Sequence, residues 1–229
     1  MKMTRNLLLS ALVFLAGSAV FEASAAPGDA RPPAETLKPA TTAEVSPAAD
    51  GFIQRWVILE PIPVSAQITE SASRATISSN YFPDQLTIMP HDGDKVTVAG
   101  KEMTWHALDT IHYNFNLYHY AYALNRPTSD VLFWAVTIVN CPEEEKDVRL
   151  AIGSNASSIW WVNGQEVTSV YGDRQTVIDD GVSKRLTLHK GQNILRCAVI
   201  NSGGATDFCA RFLDSHDQPL KNYKLSLPK

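Results

Sequence analysis

A Ser, a His and an acidic residue within reach of one another would make an acyl-transfer site. The Ser needs a base to take its proton, and the base needs an acid to orient it. The 229-residue chain sets all three types side by side at Asp214-Ser215-His216. Triads are assembled from distant segments, and three adjacent side chains at a strand end cannot form that relay. The sharp-turn nucleophile motif G-x-S-x-G does not occur, nor does a Gly-Asp-Ser run near the start of the mature chain. Ser154 follows a glycine and precedes a strand, with no evident base. Metal-assisted hydrolysis would need clustered His and carboxylate ligands. His112 and His119 lie seven apart in a segment that alternates like a strand, where an odd spacing puts them on opposite faces. His91-Asp92-Gly93-Asp94 reads as an acidic turn. Asp179-Asp180 would need a carboxylate facing them across a cleft to cleave a glycosidic bond, and otherwise reads as a solvated loop. The residues assign no catalytic group, no metal and no cofactor.

Binding chemistry is better supplied. Sugars are held by aromatic faces together with planar polar groups on loops. Trp160, Tyr171, Asp173, Arg174, Asp179 and Asp180 gather in one stretch and form the candidate ligand-binding rim. In a strand, Trp160 and Trp161 face opposite ways, and Trp161 reads as the inward, core residue. Trp160 then either offers its ring to a sugar beside Asp and Arg or packs beneath the loop 171–181.

Strands must position these groups. Phe52–Leu59 is a strand that ends at Pro61 and Pro63. Lys95–Val98 turns at Ala99-Gly100 into Glu102–Ala107. Tyr113–Ala123 alternates Tyr/Phe/Leu with Asn/His/Ala, the period of a half-buried strand. Val131–Val139 is apolar on both faces, as in a central strand covered twice. Val148–Gly153 follows a break at Asn140–Lys146. Ser157–Val162 meets Gln165–Val170 through Asn163-Gly164, a strong hairpin signal. Arg185–Leu188 is short, and Ile194–Asn201 with Asp207–Leu213 reads as a final hairpin around Gly203-Gly204. Val64–Ser79 is a weak helix candidate because of its Ser, Thr and Ile content. Many short strands between Gly, Pro and Asn turns predict an all-β, jelly-roll β-sandwich for residues 51–229.

Two segments precede that body. Residues 1–25 have the form of a secretory signal peptide: Lys2 and Arg5, the apolar run Leu7–Leu15, then Ala23 and Ala25 before a cleavage at Ala26. The run is too short for a membrane anchor, which takes ~20 residues, and nothing later is long and apolar enough to span one. Residues 26–50 are rich in Pro, Ala and Thr and read as a disordered linker. A net charge of −4 without a basic stripe disfavours nucleic acid as a partner. Cys197 and Cys209 flank the last turn, within reach of a disulfide on neighbouring strands. Strand phasing puts Cys197 inward and Cys209 outward, so Cys141, Cys197 and Cys209 are expected as free thiols.

Gly153-Ser154-Asn155-Ala156-Ser157-Ser158-Ile159-Trp160-Trp161-Val162-Asn163-Gly164 is similar to the GSDDGVKVWLNG run of galactose-binding-like jelly-roll modules. Leu186–Leu195 resembles their L-x-L-K-K-G-x-N-x-L stretch, and Asp207–Phe212 their closing strand. A likeness over nearly the whole body, carried by 49–56, 105–109, 131–136 and 172–174, extends to small exported proteins of Bacteroidetes-type bacteria, often named acetylxylan esterase. The acidic pair of the modules is Asn155-Ala156 here, so a calcium site built on it would lose both carboxylates. The resemblance implies a periplasmic or extracellular protein of a Gram-negative bacterium. It also implies a partner that is a polysaccharide or oligosaccharide, xylan-like, or a carbohydrate-active enzyme. The expected function is a non-catalytic module that binds or positions such a polysaccharide or docks to the enzyme degrading it. An acetylxylan esterase and an envelope assembly protein are the alternatives.

Overall fold

The computed structural model describes residues 36–228; the signal-peptide segment and the first part of the linker lie outside them. The strands are β1 (Leu37–Pro39), β2 (Glu44–Val45), β3 (Arg55–Leu59), β4 (Ile62–Pro63), β5 (Lys95–Val98), β6 (Lys101–Thr110), β7 (Phe115–Asn116) and β8 (Val131–Cys141). They continue with β9 (Glu145–Ser154), β10 (Ser158–Val162), β11 (Gln165–Val170), β12 (Gly181–Val182), β13 (Leu186–Leu188), β14 (Gly191–Asn201), β15 (Asp207–Leu213) and β16 (Lys224–Ser226). Helix α1 (Glu70–Ser78) follows β4, and α2 (Leu117–Ala123) follows β7. The fold is an all-β sandwich of two antiparallel sheets. The larger has the central order β1-β6-β3-β8-β14-β10-β11, and the smaller β12-β9-β15-β7.

The sequence periodicity explains why the larger sheet is covered on both faces. Along β8, Val131, Phe133, Ala135 and Val139 enter the core between the sheets. Leu132, Trp134 and Val136 enter a second apolar layer on the sheet's other face. That outer layer is closed by α1, which inserts Ile77, and by Phe82, whose ring stands edge-on to Trp105 and Trp134 at 6.0 and 6.1 Å. The segment after Phe82 is tied down by Arg196, a buried guanidinium on β14 that donates to the carbonyls of Leu86 and Ile88. Burial without an acidic partner lowers the Arg196 pKa to about 10. Thr69 caps α1 through its hydroxyl. The β10–β11 hairpin turns at Asn163 (φ 52°) and Gly164 (φ 80°), the left-handed pair that the Asn-Gly dipeptide favours.

Four expectations need correction. From Thr36 onward the Pro/Ala-rich stretch belongs to the sandwich: β1 pairs with β6, and β2 with β16. Tyr113–Ala123 is not one strand, because Asn116 caps a helix by accepting from the His119 N–H at 2.7 Å. The same residues that alternate also place Leu117, Tyr120 and Ala121 at the i, i+3, i+4 spacing of a helical face, and these three are buried. His112 and His119 therefore do not share a strand. Finally, β14 and β15 do not form a hairpin. They lie in opposite sheets, with β15 pairing to β9 and β7. Cys197 and Cys209 are thus not on neighbouring strands, and all three cysteines are free and buried.

Candidate functional site

Residues 172–180 leave β11 and cross the outer face of the smaller sheet as a strap. That face alternates with the core side: Ile152, Phe208 and Ala210 point inward, while Gly153 and Cys209 point out. The strap runs so close over Gly153 that a Cβ there would lie 2.3 Å from the Val177 carbonyl oxygen and 2.9 Å from Cys209 Sγ. Glycine is required here by proximity. Cys209 therefore points away from the core, as its phasing implies, yet is buried under the strap.

Charged staples hold the strap. Asp179 accepts from Arg211 through Nε (3.0 Å) and Nη2. Arg211 in turn donates to the Asp50 carbonyl and lies over the Phe52 ring at 4.8 Å. Arg174 and Asp180 pair with each other. At the strap's start the Gly172 N–H donates to Ser157 Oγ (3.0 Å), and the Arg174 N–H donates to the Asn155 carbonyl.

Asp207, at the head of β15, collects three loops. One carboxylate oxygen accepts from Asn114 Nδ2 (2.5 Å) and the other from the Thr176 hydroxyl. Its carbonyl accepts from the Asn155 N–H at 3.0 Å. Tyr113 stands next to this hub, tilted against Phe52 at 5.5 Å. Partial burial, then the Asp207 charge, raise its phenol pKa. Its ring is exposed, as are Val177 and Ile178 on the strap. The loop end of the sandwich thus offers apolar side chains beside fixed carboxylates and a guanidinium.

The candidate rim divides in three. Asp173, Arg174, Asp179 and Asp180 sit together along the strap, with Asp173 exposed. Tyr171 belongs elsewhere: its ring lies 5.7 Å from the Arg74 guanidinium of α1, on the larger sheet's outer side. Trp160 does not line a surface at all. It is fully buried between the sheets against Trp56 and Phe208, at 6.1 and 5.6 Å, with Nε1 donating to Ser158 Oγ. Alternation sends Trp161 to the other face, where it stacks on Trp134 at 5.6 Å. Because both faces of the larger sheet are covered, Trp160 is wholly enclosed and Trp161 is only 8% exposed. Sequence reasoning missed Asn114, Thr176 and Arg211 as parts of the site. They come from three distant segments and share no local pattern.

The side-by-side Asp-Ser-His run makes one of the two contacts of a relay. Ser215 Oγ lies 3.2 Å from His216 Nδ1, but the Asp214 carboxylate accepts from the main-chain N–H groups of His216 and Gln218, not from the imidazole. Those main-chain bonds lower the Asp214 pKa. Among the described residues no group of three or more His, Cys, Asp or Glu is placed to hold a metal ion. No helix among them is long and apolar enough to cross a membrane.

No protein-family model matches the chain, and no curated protein matches it. Solved structures are similar to it. A PA14 sugar-binding domain from an RTX adhesin covers 77% of this chain and 100% of its own length, at 13% identity and a TM-score of 0.45. A β-glucosidase from Kluyveromyces marxianus, in complex with glucose, matches over 37% of this chain and 11% of its own length, at 20% identity and a TM-score of 0.27.

Proposed function

We propose that this chain is an exported, non-catalytic module that binds a polysaccharide of the xylan-like, plant type and so positions it. The observation that carries the reading is the stapled strap. Arg174 and Asp180 are held as a pair, Asp173 is exposed next to them, and Val177 and Ile178 present apolar surface alongside. Planar charged groups suit the paired hydroxyls of a sugar, and a ready-made site loses little freedom on binding. The strap staples and the Asp207 hub supply that rigidity.

The test is affinity electrophoresis of the mature protein through gels containing xylan, with a panel of other polysaccharides beside it. Wild type is expected to be retarded, and Arg174→Ala with Asp173→Ala to lose the retardation. Arg174 is only 23% exposed and also staples the strap, so thermal midpoints of the variants are compared with wild type to separate lost binding from lost folding. Free migration of the wild type through every polysaccharide overturns the proposal. Acetate release from acetylated xylan by the pure protein would replace it with the esterase reading. Capture of a carbohydrate-active enzyme without any glycan would replace it with the docking one.

A further inference from the structure

Where β11, the outermost strand of the larger sheet, parts from β13 of the smaller one, the sandwich opens into a cavity of about 280 Å³. Its floor is apolar. Val162 is buried in the core between the sheets, and Val167 and Leu186 pack against that core. Its rim carries Gln165, Thr187 and His189. Among the described residues the Gln165 side-chain amide and the Thr187 hydroxyl have no hydrogen-bond partner, so both remain available to a ligand.

The walls are locked together. Asn193 is 1% exposed, and its carbonyl oxygen accepts from Asn163 Nδ2 and from the His189 N–H, each at 2.9 Å. Its own amide donates to the His189 carbonyl at 2.7 Å, while Asn163 Oδ1 accepts from the Ile194 N–H at 2.8 Å. These bonds join the β10–β11 turn to the turn after β13. Beside Leu186, Arg185 donates to the carbonyls of Asp147 (2.6 Å) and Asp214 (2.8 Å). A cavity framed in this way loses little freedom when it is filled.

Size and charge select the occupant. An apolar cavity of roughly 150 Å³ holds one benzene ring, so about 280 Å³ takes one six-membered ring with its substituents and not two. The charges at the rim are compensated: Arg185 pairs with Asp217 at 2.9 Å, and Glu144, 3.8 Å from His189 Nδ1, pairs with Lys146 at 3.4 Å. An apolar floor, uncommitted hydroxyl and amide groups and no spare charge suit a neutral, hydroxyl-bearing ring.

We propose that this cavity binds a single neutral pyranose, free or at the end of a chain. Its C–H face lies on Val162, Val167 and Leu186, and its hydroxyls meet Gln165, Thr187 and His189. This rests on the carbohydrate reading above and adds to it a site away from the strap. The strap's first residue, Gly172, bonds to Ser157 just before β10, whereas the cavity begins at Val162, where β10 ends.

Saturation-transfer NMR of the mature protein, titrated with xylose, glucose and galactose, tests it. Val167→Phe fills the cavity and is expected to abolish the signal. Thr187→Val keeps the shape and removes the hydroxyl, and Gln165→Ala removes the amide. Each should weaken binding about fivefold, the size of one neutral hydrogen bond. Thermal midpoints show which variants fold, and the isosteric Thr187→Val keeps the test decisive if Val167→Phe does not. Sugar binding that is unchanged in Thr187→Val and Gln165→Ala but lost in Arg174→Ala overturns the cavity site and leaves the carbohydrate reading standing. Silence from all three monosaccharides, with wild type still retarded in the gels, does the same. Silence together with free migration in every gel removes both. Tighter binding of glucuronate than of any neutral sugar overturns the assignment of a neutral ligand.

Discussion

Arg55 and Asp109 face each other across β3 and β6 through two parallel hydrogen bonds, Nε to Oδ1 and Nη2 to Oδ2, each 2.8 Å. Arg55 is wholly buried and Asp109 is 29% exposed. The same guanidinium donates to the carbonyl and the hydroxyl of Thr42, at 2.7 and 2.9 Å. One cation therefore joins the sheet to the segment that precedes it. Removing Asp109 strands the guanidinium, which has only Thr42 left. Asp109→Ala is expected to cost about 2–4 kcal/mol, below the fully buried range because the carboxylate is partly in water. Arg55→Met, which removes the charge itself, should cost less. Urea unfolding midpoints of the two variants and their double mutant measure this. A D109A midpoint equal to wild type would mean that the pair is not structural.

The contacts of Arg55 lead to a truncation experiment. A chain starting at Gly51 loses β1 and β2 and with them the Thr42 contacts. It leaves β6 with an open edge where β1 had paired. Such a chain is expected to unfold at lower urea and to self-associate, seen by light scattering. A chain starting at Thr36 should behave as one starting at Ala26 does. A free linker over 36–50 would make the two truncations indistinguishable.

The buried thiols give a pH dependence of known direction. Burial pushes Cys141 up to about 11 and Cys209 to about 12, and Cys197 well above its ordinary value. Unfolded thiols lose their protons near ~8.5. Below that pH both states are protonated and stability is level. Above it the unfolded chain releases protons that the folded chain still holds, so stability falls as pH rises through 9 and 10. Each thiol contributes up to ~1.4 kcal/mol per pH unit in that window. Comparing wild type with Cys141→Ala/Cys209→Ala at pH 8 and pH 10, in reducing buffer, isolates the effect. The variant should lose less stability over the interval. An equal loss in both would show that these thiols titrate normally in the folded protein.

Strand pattern carried much of this architecture into the sequence. The two-faced apolar run of β8 and the Asn-Gly hairpin have single readings, because both sides of a buried strand and a left-handed turn leave few alternatives. Residues 113–123 read as a strand by their partial alternation, but Leu117, Tyr120 and Ala121 also satisfy helical spacing. The Asn116 cap decides between them, and a cap is one residue wide. The partition of β14 and β15 between sheets was not legible, as a glycine-bearing loop joins strands within a sheet or across a sandwich equally well. The site was half legible. The strap charges lie in one stretch, but Asn114, Thr176 and Asp207 meet only through tertiary packing.

Gly153→Ala tests whether the strap is held by proximity. The added methyl group would meet the Val177 carbonyl at 2.3 Å, and that atom belongs to main chain that cannot swing aside. The strap must lift, so the Arg211–Asp179 staple stretches and Cys209 is uncovered. Hydrogen exchange at 176–180 should accelerate, and Cys209 should become reactive to a thiol reagent that leaves the wild-type protein untouched. The sheet beneath keeps its pairing, so global unfolding should shift by only ~1–3 kcal/mol, the usual cost of overpacking. A Cys209 as protected as in wild type would mean that the strap is free to move.

Trp160 separates folding from binding. Its ring fills the space between Trp56 and Phe208 with no path to solvent. Trp160→Ala is therefore expected to cost about 3–5 kcal/mol through the cavity it leaves. Trp160→Phe should cost less, because most of the volume and the edge-on contact to Phe208 remain. If glycans bind at the strap, neither change alters affinity per folded molecule, measured well below the unfolding midpoint. A weaker dissociation constant in a fully folded Trp160→Phe protein would place the sugar at the tryptophan after all. That would require the sheets to part, since each face of β10 is covered by packed side chains.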